Sequence, residues 1–503
     1  MSFTKKMFSK KFFLVNLVLV GIMIGFIAAF AILAKAPGSD GSAIAHAESA
    51  PSLPVDASAS VQQAKAIQSA FNAVSKTVLP SVVELDVIGT STSPQADSSP
   101  WRFFFGDPEQ APDEKAPPNE YEEHGLGSGI IVRKDGKKVY VLTNNHVVAG
   151  AKEIVVKLYD EREFKGTTVG TDSRRDLALV SFEASSGDIQ PARLGDSSAL
   201  EVGDWAIAIG SPYGLFSSVT VGIISAIGRN GGPEGNISDF IQTDAAINRG
   251  NSGGALVNID GEVIGINTWI ASTTGGSIGL GFSIPINNAV RVIDEIISKG
   301  VVKYGWLGVL LSDVPKATLG QLGLGDTHGA FIGHVFADGP AAKGGILPGD
   351  YVLAIDGKNI ASIDQLVRIV GDLSVGSKSS FRVMRNGKMV TLKVTIDERK
   401  ESSAADYSKL WPGLEVSSIA DADIDSKNLP KGTKGVIVTS VIAKSPAATL
   451  GVKRGDILSA INEEVIDGPA AFYKALNNEK TRSFQFTLLR DGQSLTTLAL
   501  VRK

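Results

Sequence analysis

A serine between glycines is the strongest chemical signal in the sequence. Ser252 stands at the centre of residues 250–254, which read GNSGG. A nucleophilic serine must present its hydroxyl on a tight turn, and flanking glycines allow that turn without Cβ clashes. The backbone N–H groups of Gly250 and Ser252 could then stabilise the negatively charged oxygen that forms during acyl transfer. The alternative is a glycine-rich turn in which the serine is incidental.

A serine nucleophile needs a base, and the sequence offers few histidines. They are His46, His124, His146, His328 and His334. His146 closely follows the apolar segment 139–143, where a rigid strand can fix its ring. His124 ends a proline-rich insertion beside two glutamates, which is more typical of a solvated acidic stretch. His146 is therefore the candidate general base, with a purely structural role as the alternative.

A carboxylate must hold the imidazole in the orientation that catalysis needs. Asp176 stands directly before the apolar segment 177–180, which is typical of a buried strand. Asp172 is the alternative orienting residue, although it lies in a predicted turn, and Asp176 could itself be a simple turn residue. The chain order His146, Asp176, Ser252 is the order found in the chymotrypsin-type double barrel.

Composition excludes several other kinds of site. The chain contains no cysteine, which excludes disulfides, thiolate metal sites, iron–sulfur clusters and cysteine nucleophiles. The net charge is −4, so the basic surface of a nucleic-acid-binding protein is not expected. No group of His, Asp and Glu residues has the spacing of metal ligands, so neither a metal nor another cofactor is predicted.

Short β-branched segments surround the candidate residues and must position them. Glycines and acidic turn residues separate these segments, which is typical of an antiparallel barrel or sandwich. The predicted strands are 82–88, 129–132, 139–143, 153–158, 177–182, 205–210, 219–227, 254–258 and 263–270. Helical spacing of apolar residues predicts helices over 61–78 and 286–298, and Gly300 should end the second helix.

The segment 90–124 interrupts the strand pattern. It contains several prolines and a cluster of aromatic residues at 101–105. Loops of this length are usually functional or disordered, and exposed aromatic clusters often mark interaction sites. We interpret the segment as a docking or regulatory loop, with a plain linker as the alternative.

The amino terminus carries a long apolar run. Lysines precede residues 12–34, and a helix of that length would cross a hydrocarbon core of about 30 Å. We predict a signal anchor or transmembrane helix within residues 1–36, followed by a flexible linker over 37–64. A small-x-small motif at 45–47 makes a cleaved signal peptide the alternative. In both cases the rest of the chain is exported.

The carboxy-terminal part of the chain repeats itself. Residues 339–357 align with residues 445–463, and both copies contain a Pro-Ala-Ala and a Gly-Asp at the same spacing. A polar stretch at 397–406 joins the two copies. Two copies are too few for a solenoid, so each should form its own small domain.

Several long segments together resemble the HtrA/Deg family of serine proteases. These segments are TNNHVV (143–148), DLALV (176–180), IGSPYGL (209–215), TVGIISA (220–226), QTDAAINRGNSGGAL (242–256) and GLGFSIP (279–285). The two repeats resemble PDZ domains. The resemblance implies a mainly β chain: a trypsin-like double β-barrel protease domain at 65–300 with a regulatory loop at 90–124, then PDZ domains at 301–397 and 405–503.

The resemblance also implies the roles of the site residues. Ser252 would be the nucleophile, His146 the general base and Asp176 its orienting residue. The backbone amides of Gly250, Asn251 and Ser252 would form the oxyanion hole. Three further residues would line the substrate strand and specificity pocket, namely Ile266, Asn267 and Thr268. Because no acid lies among these three, small or medium aliphatic side chains are expected before the cleaved bond.

Each PDZ-like repeat should bind a peptide as an added strand. The resemblance places the carboxylate-binding loop of the first repeat at Trp306, Leu307, Gly308 and Val309. Pro412, Gly413, Leu414 and Glu415 hold the equivalent place in the second repeat. Glu415 would put an acid near an incoming carboxylate, so a docking role in oligomer contacts is the alternative for this repeat.

The sequence therefore predicts an ATP-independent serine endopeptidase that degrades or processes unfolded exported proteins. Its expected partners are misfolded proteins, C-terminal peptides and further copies of itself, as a homotrimer or larger oligomer. Its expected location is the periplasmic face of the inner membrane, or the soluble periplasm if the signal is cleaved. Family members with two PDZ domains usually carry a cleaved signal, so an anchored chain with two such domains is a departure. The alternatives are a chaperone or scaffold and a peptide-activated signalling protease.

Overall fold

The computed structural model describes residues 55–91, 121–185, 188–211, 218–232, 236–273, 275–400, 406–419, 433–478 and 480–501. The chain divides into two units, Met1–Gln68 and Ser69–Lys503. Within the described ranges, no helix combines the length and apolar character that a membrane crossing requires. The predicted apolar run at 12–34 lies outside those ranges.

A long helix, α1 (Val55–Val78), precedes the first strand. It starts earlier than the predicted 61, so part of the predicted linker over 37–64 is helical. The added segment, 55–60, contains two alanines, and alanine is the strongest helix former. A short 3₁₀ turn at Leu79–Ser81 then leads into the sheet.

Two closed six-stranded antiparallel barrels follow, and together they confirm the predicted double barrel. The first barrel consists of β1 (Val82–Ser91), β2 (Tyr121–Asp135), β3 (Lys138–Thr143), β4 (Ala151–Lys157), β5 (Glu163–Asp172) and β6 (Leu177–Glu183). The second consists of β7 (Trp205–Gly210), β8 (Ser218–Arg229), β9 (Phe240–Thr243), β10 (Ala255–Val257), β11 (Val263–Ile270) and β12 (Gly281–Pro285). We call this part of the chain the double-barrel domain.

The alternation of side chains along β6 explains how the barrels pack. Ala178 and Val180 point into the first barrel and belong to its interior core. Leu177 and Leu179 point the other way, into a core shared with residues of the second barrel such as Ile207. Successive residues of a strand face opposite sides, so a strand that is apolar throughout can be buried on both. Apolar side chains from both barrels therefore meet in a shared core.

Strands β1 and β2 extend into the two ends of the predicted insertion at 90–124. β1 runs to Ser91 and β2 begins at Tyr121, and these two residues are paired in the antiparallel register. The remaining residues, 92–120, which include the aromatic cluster, lie outside the described ranges.

One helix closes the double-barrel domain as predicted. Helix α3 (Ile286–Lys299) buries one apolar face against the shared core, and its last turn ends at Gly300 in a left-handed conformation. A shorter helix, α2 (Asn145–Val148), interrupts the first barrel directly after β3. A 3₁₀ turn at Ser197–Ala199 lies between the barrels in sequence.

Each repeat forms a small sheet with short helices, as the repeat predicted. The first module contains β13 (Gly305–Trp306), β14 (Val309–Ser312), α4 (Lys316–Gln321), β15 (Ala330–Phe336), α5 (Pro340–Lys343), β16 (Tyr351–Ile355), β17 (Lys358–Asn359), α6 (Ile363–Asp372), β18 (Lys378–Arg385), β19 (Lys388–Thr395) and β20 (Asp397–Glu398). A 3₁₀ turn (Tyr407–Lys409) then leads into β21 (Leu410–Trp411), which pairs with β15 and so joins the sheet of the first module, although it lies within the range 405–503 predicted for the second. The second module contains β22 (Leu414–Ser418), β23 (Val436–Val441), α7 (Pro446–Thr449), β24 (Ile457–Ile461), β25 (Glu464–Val465), α8 (Pro469–Leu476), β26 (Ser483–Phe484), β27 (Phe486–Arg490), β28 (Gln493–Thr496) and β29 (Leu500–Val501).

The same buried ion pair recurs in both modules. Arg385 Nε lies 2.7 Å from Asp350 Oδ1 in the first module. Arg490 Nε lies 2.7 Å from Asp456 Oδ1 in the second. Both aspartates belong to the aligned Gly-Asp pairs of the repeat and both are buried. Burying a charged group is costly unless it has a partner of opposite charge, and in each module the arginine provides that partner for the buried aspartate.

Candidate active site and peptide groove

His146 and Asp176, the predicted general base and its orienting residue, lie in direct contact. Helix α2 carries His146 immediately after β3, and Asp176 stands before β6 in a left-handed conformation with φ 55°. Asp176 Oδ2 lies 2.6 Å from His146 Nδ1, and Asp176 Oδ1 accepts the backbone N–H of His146 at 2.8 Å. This carboxylate favours a proton on Nδ1, which directs Nε2 to act as the base.

The strained backbone of Asp176 is held by its neighbours across the barrel. Its carbonyl oxygen accepts a hydrogen bond from Asn144 Nδ2 at 2.9 Å and another from the backbone N–H of Asn145 at 3.1 Å. These bonds fix the carboxylate relative to the imidazole. Asp172, the alternative orienting residue, lies elsewhere: its carboxylate accepts from the Tyr304 hydroxyl and from the backbone N–H groups of Arg174 and Arg175.

Ser252 lies on the loop between β9 and β10 and is fully buried. Its hydroxyl donates to the carbonyl oxygen of Thr268 at 2.9 Å. A hydroxyl has one proton, so in this conformation the proton points to the main chain of β11 and is not given to the imidazole. The structure therefore shows the serine in a resting arrangement.

The glycine after the serine is required by close packing. Gly253 has φ 83°, a conformation that side chains other than glycine rarely adopt. A Cβ at this position would also overlap the carbonyl oxygen of Ser128 and the hydroxyl of Thr143. The turn that carries Ser252 thus packs closely against the first barrel, which explains one of the two glycines that flank this serine.

The predicted oxyanion hole is partly engaged within the turn. The backbone N–H of Asn251 donates to the carbonyl oxygen of Asn248 at 3.0 Å. Gly250 has φ 95°, and its carbonyl oxygen accepts a hydrogen bond at 2.6 Å from the hydroxyl of Ser128. The amides of Gly250 and Ser252 are therefore the better candidates for binding an oxyanion in this conformation.

Ser128 supports the site and was not predicted from the sequence. Besides its bond to Gly250, its hydroxyl accepts the backbone N–H of Ser211 at 2.8 Å. Its own N–H donates to the carbonyl oxygen of Ser252 at 2.8 Å. A serine between two glycines at 127–129, inside an apolar strand, was the signal that could have identified it.

The predicted substrate residues on β11 are fully buried. The Ile266 side chain belongs to the core between the barrels. Asn267 Nδ2 donates to the carbonyl oxygen of Ala255 at 2.9 Å, and the Thr268 hydroxyl donates to the carbonyl oxygen of Ile266 at 2.9 Å. Their polar side chains are thus bonded internally, and the main chain of Thr268 is the part that faces the serine.

The four residues predicted to bind a carboxylate in the first module line a groove. Residues 306–309 form one side of it, together with Leu311 of β14. Leu366 and Val370 of α6 form the apolar opposite side. This is the arrangement in which an extended peptide can pair with β14 and place its terminal side chain among apolar residues.

The equivalent loop of the second module contains Gly413 and the buried Leu414, but its acid contacts the first module. The Ser312 hydroxyl donates to Glu415 Oε1 at 2.6 Å, and His334 Nε2 lies 3.9 Å from the same oxygen. Burial lowers the pKa of His334 to about 4, so the ring is neutral at neutral pH. Glu415 is thus occupied by a contact between modules.

Comparison with known proteins agrees with this architecture. Residues 127–266 match the trypsin-like peptidase domain, and residues 305–396 and 413–500 each match the PDZ domain. The periplasmic serine endoprotease DegP of Salmonella typhimurium is 39% identical over 420 residues, which cover 80% of this chain and 86% of that protein. The periplasmic pH-dependent serine endoprotease DegQ of Escherichia coli is 38% identical over 421 residues, 84% of this chain and 89% of that protein.

A solved structure gives the same result. The HtrA-type protease AlgW with a decapeptide is 40% identical, with a TM-score of 0.53, and the match covers 66% of this chain and 99% of that one. The chain therefore belongs to the HtrA/Deg family of serine endoproteases, as a trypsin-like peptidase domain followed by two PDZ domains.

Proposed function

We propose that Ser252, His146 and Asp176 are the catalytic residues of this endoprotease, and that it cuts unfolded exported proteins without ATP. This assignment rests on the double contact between Asp176 and His146. Asp176 Oδ2 lies 2.6 Å from the ring nitrogen Nδ1 of His146, and Asp176 Oδ1 accepts the backbone N–H of the same residue at 2.8 Å. A turn role for Asp176 would not require both contacts.

In the proposed reaction, Ser252 Oγ attacks the carbonyl carbon of the substrate while its proton passes to His146 Nε2. Asp176 stabilises the imidazolium that results, and the amides of Gly250 and Ser252 donate to the oxyanion. The imidazolium then protonates the leaving amine, which leaves an acyl-enzyme. Water hydrolyses this ester, with His146 again acting as the base.

The resting site must rearrange before this reaction can begin. The Ser252 hydroxyl has to leave the Thr268 carbonyl oxygen, to which it donates at 2.9 Å, and turn toward His146. We propose that a substrate strand on β11 triggers this change. The absence of an acid at 266–268 supports a preference for small or medium aliphatic side chains before the cleaved bond.

We further propose that the first module binds peptide C-termini through residues 306–309. The solved structure of the related protease AlgW with a decapeptide supports this proposal. The names of the relatives support a periplasmic location. A membrane anchor at 12–34 and assembly into a homotrimer or larger oligomer remain proposals from the sequence.

One observation favours a peptide-activated signalling protease as the second candidate. Arg175, the residue before Asp176, donates from Nη2 to Asp372 Oδ1 of α6 at 2.5 Å. Helix α6 forms one side of the peptide groove, so a peptide that moves this helix would act on the residue next to the catalytic acid. A rate that rises when a peptide is added, with little cleavage in its absence, would support this candidate.

The test is cleavage of reduced, unfolded casein by the chain without ATP. Ser252→Ala should abolish cleavage, and Ser198→Ala, a change at an exposed serine of the same domain, should preserve it. Equal cleavage by the parent chain and Ser252→Ala would contradict the assignment. If neither cleaves, with or without added peptide, but both suppress aggregation of a client protein, the chaperone alternative would replace the proposal.

A further inference from the structure

We infer that the carboxylate end of the first module's groove is a composite site, in which Arg174 of the double-barrel domain and Arg399 after β20 bind a peptide's C-terminal carboxylate. This inference rests on the proposal that the first module binds peptides. It adds that residues outside the module complete its binding site.

Two arginines line the groove although neither belongs to the sheet or helix that forms its walls. Arg174 lies in the turn between β5 and β6, and Arg399 follows β20. Both line the same groove as the predicted carboxylate-binding loop at 306–309. A groove that is otherwise apolar thus has positive charge contributed by the adjoining parts of the chain.

Contacts with the first module hold Arg174 in place. Its guanidinium carbon lies 4.7 Å from the centre of the Tyr304 ring, which is a cation–π distance. The guanidinium also passes close to Gly371 in the last turn of α6: a Cβ added to this glycine would be 3.8 Å from Arg174 Nη1. Within the double-barrel domain, the carbonyl oxygen of Arg174 accepts the N–H of Ile237 at 3.0 Å. The side chain therefore lies between Tyr304, which precedes β13, and the end of α6.

Arg399 reaches the same place through strand pairing. Gly305 of β13 pairs with Glu398 of β20, and the backbone N–H of Arg399 donates to the carbonyl oxygen of Tyr304 at 2.9 Å. Arg399 is thereby anchored directly beside the first residue of the groove. Both arginines converge on the end where the carboxylate-binding loop begins.

The local electrostatics favour an anion at this point. Burial and the neighbouring positive charge of Arg399 lower the pKa of Arg174. Within the described part of the chain, no carboxylate oxygen lies within 4.0 Å of the Arg174 guanidinium; the nearby Asp172 is bonded to Tyr304 instead. An incoming carboxylate would relieve this repulsion and accept charge-assisted hydrogen bonds.

The position of the arginines favours a terminal carboxylate over an acidic side chain. Leu366 and Val370 provide an apolar wall for the last side chain of a peptide that pairs with β14. The carboxylate of that same residue would then lie at the loop 306–309, where Arg174 and Arg399 converge. An acidic side chain further from the terminus would lie along the groove, away from them.

The test measures binding of fluorescein-labelled decapeptides to the full chain carrying Ser252→Ala, which prevents cleavage. One peptide ends in valine with a free carboxylate, the second is its C-terminal amide, and the third is that amide with a glutamate three residues from its end. Arg174→Gln should raise the Kd of the free-acid peptide about tenfold and leave the Kd of the amide peptide almost unchanged. Arg399→Gln should act in the same direction, and Arg193→Gln, at an exposed arginine elsewhere, should have no effect.

Equal binding of the acid and amide peptides by the parent chain would overturn the inference. An equal loss for both peptides in Arg174→Gln and also in Arg399→Gln, at an exposed side chain, would overturn it as well, because a loss that does not depend on the carboxylate would indicate a distorted groove. If the arginine variants weaken binding of the glutamate peptide alone, the arginines recognise an acidic side chain and not the terminal carboxylate, which would also overturn the inference. Casein cleavage by the chain with Ser252 intact reports separately on the proposed protease function.

Discussion

Ser128→Ala tests whether the first barrel positions the turn that carries Ser252, the proposed nucleophile. The Ser128 hydroxyl donates to the carbonyl oxygen of Gly250 at 2.6 Å and accepts the N–H of Ser211 at 2.8 Å. The residue is fully buried, so water cannot replace the missing hydroxyl without rearrangement. The substitution therefore leaves a donor and an acceptor on two different loops without their partner.

The size of the effect follows from these two bonds. A buried polar group that loses its partner costs about 1–3 kcal/mol, so we expect the free energy of unfolding to fall by about 2 kcal/mol. Complete loss of an oxyanion donor lowers kcat by roughly 100-fold to 1,000-fold. Ser128→Ala only loosens the peptide unit between Gly250 and Asn251, which lies next to the Gly250 N–H rather than containing it, so we expect kcat to fall about tenfold with little change in KM.

Steady-state cleavage of a fluorogenic peptide and urea unfolding would measure the two effects. Ser181→Ala is the matched control, because Ser181 is also a buried serine of the first barrel. The control should change stability without lowering kcat by the same factor. If Ser128→Ala lowers stability but leaves kcat at the parent value, the Ser128 hydroxyl does not position the turn and the reasoning is refuted.

Three further predictions concern single side chains. Asp176→Asn should lower kcat roughly 10,000-fold, because a neutral amide cannot stabilise the imidazolium; a loss below tenfold in casein cleavage would contradict this. Gly253→Ala should abolish cleavage and lower the thermal midpoint, since its Cβ would overlap the Ser128 carbonyl oxygen; near-normal activity would argue against the packing described. Burial lowers the pKa of His334 from 6.5 to about 4, so the unfolded chain takes up this proton first as pH falls. Stability should therefore drop by about 2 kcal/mol between pH 7 and pH 5 through this group, and urea unfolding of His334→Leu should lack that part of the drop.

The sequence predicted the parts of the fold that depend on local patterns. Strands that are apolar on both faces, such as β6, are visible as short β-branched runs, and α3 is visible from its helical spacing and Gly300. Strand β5 was missed because many of its side chains are exposed and its sequence, EFKGTTVGTD, has no apolar run. The early start of α1 was missed because an alanine- and serine-rich segment also fits a linker.

In the candidate site, too, the sequence revealed residues within recognisable segments but not residues whose contacts are distant along the chain. His146, Asp176 and Ser252 each stand in a distinctive segment, so their types and order could be recognised. Ser128 could not be, because its importance comes from hydrogen bonds to Gly250 and Ser252, more than a hundred positions away along the chain. Arg174 was overlooked for a similar reason, since only the folded chain brings it to the groove of another domain.

The location of the Ser252 turn where the two barrels meet has a consequence for biosynthesis. His146 and Asp176 belong to the first barrel, whereas Ser252 belongs to the second, and its carbonyl oxygen accepts the N–H of Ser128 in the first at 2.8 Å. A chain that has folded only its first barrel therefore contains the proposed base and orienting acid without the proposed nucleophile. If these three residues act as proposed, proteolytic activity can arise only after both barrels have docked, so a chain cannot digest its unfinished neighbours while it is still folding itself.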